Sequence, residues 1–95
     1  MIELTDETLK EFAKDGPCLL FYYTDWCPMC STVREILNKL NVRCGQLCYD
    51  DCPNAVSLHE VPGVPTALAL REGQVELAMP GLRPKEHYKA LAAQL

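Results

Sequence analysis

Hydrophobic and polar positions fall into short blocks along this chain, and their period changes from block to block. A continuous apolar run, Cys18-Leu19-Leu20-Phe21-Tyr22-Tyr23, has the length and aromatic content of a buried strand. After it, Val33, Ile36, Leu37 and Leu40 recur at steps of three and four, which predicts a helix to about Leu40 with one apolar face. Val42 to Tyr49 reads as a second strand, weakened by Gly45. Thr66–Leu70 and Gln74–Met79 flank Glu72-Gly73 and read as a hairpin. Pro84 opens a last helix whose Tyr88, Leu91, Ala92 and Leu95 form an apolar stripe.

Two shorter helices complete the pattern. Thr5 can cap the first, with Asp6 and Glu7 at its positive end and Leu4 stapled onto Leu9. Leu9, Phe12 and Ala13 give its buried face, and Gly16-Pro17 stops it. Asp50-Asp51-Cys52-Pro53 supplies a cap and a first-turn proline for a helix through about Glu60. The order is α-β-α-β-α-β-β-α, with a further short strand at Met1–Leu4. It predicts an α/β fold, a central mixed β-sheet flanked by helices on both faces, with a right-handed βαβ connection. Residues 1–95 are expected to form one domain, without internal repeat or linker.

Composition narrows the function classes. Apolar residues make up 48% of the 95 and charged residues 23%, as in an ordinary globular protein, which argues against disorder. A net charge of −4 offers no basic surface to nucleic acid or an anionic membrane. No apolar run approaches the ~20 residues that span a bilayer. The acidic Met1–Glu7 stretch lacks the features of a signal peptide, so a cytoplasmic location is expected. Six cysteines could form the disulfide framework of a secreted domain, but the well-filled apolar pattern argues for free thiols in a reducing compartment.

The chemistry concentrates in Trp26-Cys27-Pro28-Met29-Cys30, where the first long strand hands over to a helix. Pro28 suits the first helical position, because its φ is already helical and its missing N–H would have no partner there. Cys27 then falls at the N-cap, where the first-turn N–H groups and the helix dipole favour a thiolate. Cys30, three residues on, shares its face and can close a disulfide with little strain. Cys27 reads as the exposed, attacking sulfur and Cys30 as the buried, resolving one.

With Trp-Cys-x-x-Cys at a strand-to-helix junction, the chain resembles the thioredoxin family, and the likeness covers nearly all of it. Val61-Pro62-Gly63-Val64-Pro65-Thr66 is similar to the family's loop before its third main strand, whose proline is cis and faces the active-site sulfurs. Glu72-Gly73 matches the hairpin turn, Gly81 the glycine flanking the substrate groove, and Asp50-Asp51-Cys52 a segment of animal thioredoxins. The resemblance implies a monomeric protein-disulfide reductase in which Cys27 attacks, a mixed disulfide forms, and Cys30 releases the product. Trp26 would shield the site, and Pro28, Met29 and Gly81 would meet the substrate. Val64 would offer its backbone in short β-augmentation, and Pro65 would fill the space beside the sulfurs. No cofactor is implied. The partners implied are disulfide-containing proteins and, as electron donor, a flavin-dependent thioredoxin reductase.

The chain departs from the family in three places. Pro-Met replaces the usual Gly-Pro between the cysteines, and a leading proline is more glutaredoxin-like. The second helix and its following loop are shorter. The family's buried carboxylate, six residues before the first motif cysteine, is replaced by Phe21, and its lysine partner aligns with Gln46. A glutaredoxin reading lacks that family's Gly-Gly-x-Asp element, since the corresponding stretch is Ala78-Met79-Pro80-Gly81-Leu82-Arg83. A carrier devoted to one partner is a further alternative.

From a different class, Cys27-x-x-Cys30 with Cys44-x-x-x-Cys48 approaches four-thiolate zinc spacing and would make a non-catalytic metal domain. Against zinc, the core needs the helix that follows the motif, and no metal is expected. Cys18 and Cys44 read as small buried hydrophobes, while Cys48 and Cys52 are candidate accessory thiols. His59 and His87 read as surface or helix-face residues, and Asp50, Asp51, Glu60 and Glu72 as solvated surface residues.

Overall fold

The computed structural model describes residues 1–95 and runs β1 (Ile2–Leu4), α1 (Leu9–Lys14), β2 (Cys18–Tyr23), α2 (Pro28–Asn38), β3 (Cys44–Cys48), α3 (Pro53–Leu58), β4 (Thr66–Arg71), β5 (Gln74–Pro80), α4 (Lys85–Ala92). One five-stranded sheet has the order β1-β3-β2-β4-β5. The β1–β3 and β3–β2 pairs are parallel, and the β2–β4 and β4–β5 pairs antiparallel. This is the expected α/β fold with a mixed sheet.

The unbroken apolar run of β2 now has a physical reason. β2 is the central strand, and both of its faces are covered. Cys18, Leu20 and Tyr22 pack with Leu9, Phe12 and Ala13 of α1 and Ala55 of α3. Leu19 and Phe21 point the other way, into a cluster with Val33 and Leu37 of α2 and Tyr88 and Leu91 of α4. Two helices therefore lie on each face.

Gly45 marks a close approach rather than a weak strand. A Cβ there would come within 2.5 Å of Leu4 Cδ1 and 3.2 Å of Phe12 Cε2, so β1 and α1 pack directly on the bare backbone. In the hairpin, Glu72 (φ 52°) and Gly73 (φ 75°) both take the left-handed conformation that a two-residue turn between twisted strands requires. A register shift between Ala69 and Leu70 follows in the same ribbon.

Three local expectations need correction. The regular turns of α1 begin only at Leu9, later than expected, although the Thr5 hydroxyl does cap the entrance, accepting the Glu7 and Thr8 N–H groups. Cys52 is the N-cap of α3, but its side chain makes no cap bond. Asp6, far away in sequence, does so instead, accepting the Asn54 and Ala55 N–H groups at 3.1 and 2.8 Å. His59 is half-buried, with Nδ1 2.8 Å from the Tyr22 hydroxyl, and burial lowers its pKa.

Candidate active site

The strand registers gather the motif residues at one end of the sheet. β2 ends at Tyr23, and the chain turns through Thr24 and Asp25 into the motif. β4 runs antiparallel to β2 with Thr66 opposite Tyr22, so Val64 and Pro65 arrive beside the same end. Thr66 also pairs with Pro80, and the Gly81 N–H donates to the Pro65 carbonyl at 2.7 Å. The Val64–Pro65 peptide is cis, and Gly81 holds a left-handed φ of 81°. Cys27 and Cys30 belong to the apolar cluster against which Val64 packs.

Within the motif, Cys27 is the N-cap of α2 and Pro28 its first residue. The Cys27 N–H donates to the Thr24 carbonyl at 3.4 Å, and the Cys30 N–H to the Cys27 carbonyl at 3.2 Å. Contrary to the sequence expectation, Cys27 is not openly exposed: 7% of it is accessible, against 1% of Cys30. Its side chain is drawn into the α2–α4 cluster. Around it, Trp26 (70%), Met29 (45%) and Leu82 (46%) stand exposed, and Pro28 is exposed as well. Pro65 is buried and Gly81 exposed.

Cys30 is held against ionisation by its surroundings. Burial, then a hydrogen bond to Cys27, pushes Cys30 up to about 12, opposed by the Thr24 backbone N–H and the Arg34 charge. The Thr24 hydroxyl, buried beside this site, has no hydrogen-bond partner. No carboxylate stands where Phe21 sits, fully buried and opposite Gln46 on β3.

Several residues gain roles that the sequence did not display. Asp50, read as a surface residue, accepts the Trp26 Nε1–H at 3.2 Å and ties the exposed indole to the turn after β3. Arg34 lies 5.6 Å from the Phe21 ring centroid and 4.8 Å from that of Tyr23, and its Nε donates to Gln46 Oε1 at 3.0 Å. Neither contact has a signal in residue spacing, since both depend on strand register. The four thiols of the zinc reading do not converge, and no three His, Cys, Asp or Glu side chains are placed to hold a metal ion. All six cysteines are free thiols: Cys18 and Cys52 are buried, Cys44 and Cys48 partly so. A cavity of about 620 Å³ lies between α1, α3 and the hairpin turn, and neither Cys27 nor Cys30 lines it.

The family model for thioredoxin matches residues 1–94. The chain belongs to the thioredoxin family.

Its relatives are distant in sequence. It is 28% identical to a thioredoxin of Listeria monocytogenes over 88% of this chain and 87% of that one. It is 24% identical to that of Bacillus subtilis over 96% and 93%. A chloroplastic M-type thioredoxin of Triticum aestivum is 27% identical over 77% of this chain, which spans 45% of that protein. Among solved structures, a mutant thioredoxin from Halobacterium salinarum NRC-1 superposes with a TM-score of 0.88 at 21% identity, over 98% of this chain and 88% of that one, which shows the shared fold. Membership of the thioredoxin family makes the chain a thiol–disulfide oxidoreductase that acts on disulfide-containing substrates. No helix is long and apolar enough to cross a membrane.

Proposed function

We propose that the protein is a reductant of protein disulfides, with Cys27 as nucleophile and Cys30 as resolving thiol. The observation that carries this reading is the gathering of the Cys27–Cys30 pair, the Val64–Pro65 loop and Gly81 at one end of the sheet. The Cys27 thiolate attacks a substrate disulfide, and one substrate sulfur leaves as a thiolate. Cys30, as a thiolate, then attacks Cys27 Sγ. The Cys27–Cys30 disulfide forms, and the second substrate sulfur departs with the electron pair. Two electrons pass to the substrate, which leaves as a dithiol.

The other site residues serve binding. Val64, half-buried at the rim, would lend its backbone to an extended substrate segment, with Gly81 leaving room beside it. Pro65, which has no N–H, would close the side of the site next to the sulfurs. Trp26, Pro28 and Met29 present exposed apolar surface to the segment flanking the disulfide. A flavin-dependent thioredoxin reductase would return the electrons. A reducing compartment such as the cytoplasm suits a protein that works as a disulfide reductant.

Equilibration in defined dithiothreitol buffers tests the reading. One two-electron couple is expected, and it should disappear in Cys27→Ser. An unchanged couple in that variant would refute the assignment. Turnover with glutathione alone, at the rate given by a thioredoxin reductase, would favour a glutaredoxin-like role instead.

A further inference from the structure

Cys30 has to become a thiolate before it can release product, and its surroundings resist this. Its cluster is apolar, formed by Phe21 from β2, Val33 and Leu37 from α2, Ala67 and Ala69 from β4, Met79 from β5, and Tyr88 and Leu91 from α4. That cluster contains no carboxylate, lysine or histidine. The groups that act on Cys30 are Cys27 and Arg34 from its own helix, the Thr24 backbone N–H from the loop after β2, and Tyr88 from α4. Tyr88 is no proton acceptor: burial raises its own pKa, and its hydroxyl is engaged with the Arg83 N–H and the Gly81 carbonyl. Arg34 is the one cation in the set.

The fold keeps that cation beside the cluster that holds Cys30, 5.6 Å from the centroid of its Phe21 ring. Arg34 follows Cys30 by four residues in α2, so the two share a face one turn apart. Side chains on a helix lean toward its N-terminus, which carries Arg34 back over the turn that holds Cys30. The Phe21 and Tyr23 rings and the Gln46 amide hold the guanidinium against the sheet rather than out in solvent. The nearby Glu3 carboxylate is occupied elsewhere. That carboxylate accepts the Tyr23 hydroxyl (2.9 and 2.8 Å) and the Gln46 Nε2–H (2.7 Å), and makes no bond to Arg34.

Building on the reductant reading above, we infer that Arg34 is the positioning charge of the release step, stabilising the negative charge on the Cys30 sulfur as it attacks Cys27. Arg34 stays protonated throughout, so it acts by its field and takes no proton. The Cys30 proton goes to water. The Cys30 electron pair forms the new S–S bond, the bond from Cys27 to the substrate sulfur breaks, and that sulfur leaves as a thiolate. The substrate disulfide is the oxidant.

Reaction of the reduced protein with 5,5′-dithiobis(2-nitrobenzoate) separates the two steps. Attack by Cys27 releases one coloured thiolate, attack by Cys30 on the mixed disulfide releases a second, and a Cys30→Ser trace supplies the background from the other thiols. In Arg34→Met, which keeps the aliphatic stem, the second phase should slow about tenfold at pH 7, and its pH profile should move to higher pH. Arg34→Lys should restore most of the loss, because it keeps the charge. A second phase with an unchanged profile in Arg34→Met would overturn the inference, and so would failure of lysine to restore it while circular dichroism shows intact folding. A wild type that gives no second phase would overturn the dithiol reading itself, and the inference with it.

Discussion

With Cys30 as the resolving thiol proposed above, Phe21 and Cys30 set the pace of release. Phe21 occupies, fully buried, the position where the thioredoxin family carries an ionisable carboxylate, and a ring can neither take nor relay the Cys30 proton. With Cys30 pushed up to about 12, the thiolate fraction rises about tenfold for each pH unit below that value. The mixed disulfide ties up Cys27 Sγ but leaves the burial of Cys30 in place. Release measured in a single turnover should therefore climb steadily from pH 6 to 9. Phe21→Asp should speed release at neutral pH while costing about 3 kcal/mol of stability, from the lost ring and the buried charge, part of which Arg34 would offset. A wild-type release rate flat across that range, with no gain in the variant, would show that another group accepts the proton. The thiols, Pro65 and Gly81 were legible in the sequence because each sits in a short local motif. The Trp26–Asp50 bond and the Arg34–Gln46 contact were not, because the partners lie far apart in the chain and only strand register joins them.

Elements were legible where a pattern has a single cause. The apolar run of β2 and the spaced apolar face of α2 reflect burial alone, and each came out within two residues of its observed end. Ends set by distant partners were hidden. α3 is six residues long, too short to hold itself together, and its free N–H groups are met by Asp6 from the segment between β1 and α1. Asp6 thereby ties the N-terminal segment to a helix that follows β3. Asp6→Ala should lower stability by about 1–2 kcal/mol, seen as a reduced urea midpoint at unchanged slope. Asp6→Asn, which keeps an acceptor oxygen, should recover part of it. Equal loss in both variants would mean that the carboxylate charge, rather than the cap geometry, is what matters at this helix.

At the scale of the molecule, the free thiols set its response to alkali. Burial is the first cause in each case that raises Cys18, Cys30, Cys44, Cys48 and Cys52 above the ordinary thiol value, Cys30 and Cys44 to about 12. Burial likewise raises the phenols of Tyr22, Tyr23 and Tyr88. In the unfolded chain these thiols ionise near 9 and the phenols near 10, while the folded protein still holds their protons. Above pH 9 the unfolded state therefore binds fewer protons than the native one, and stability falls with each further step in pH. The contribution is fully present below about pH 9 and is lost as pH rises toward the folded values near 12 for Cys30 and Cys44. The urea midpoint of the reduced protein should stay level from pH 7 to 8.5 and drop steeply by pH 10.5. Oxidation of Cys27 and Cys30 removes one titrating thiol from that set, so the oxidised protein should lose less over the same interval. Parallel curves for the two redox forms would mean that Cys30 ionises as readily in the folded protein as in the unfolded chain, leaving the release step no burial to overcome.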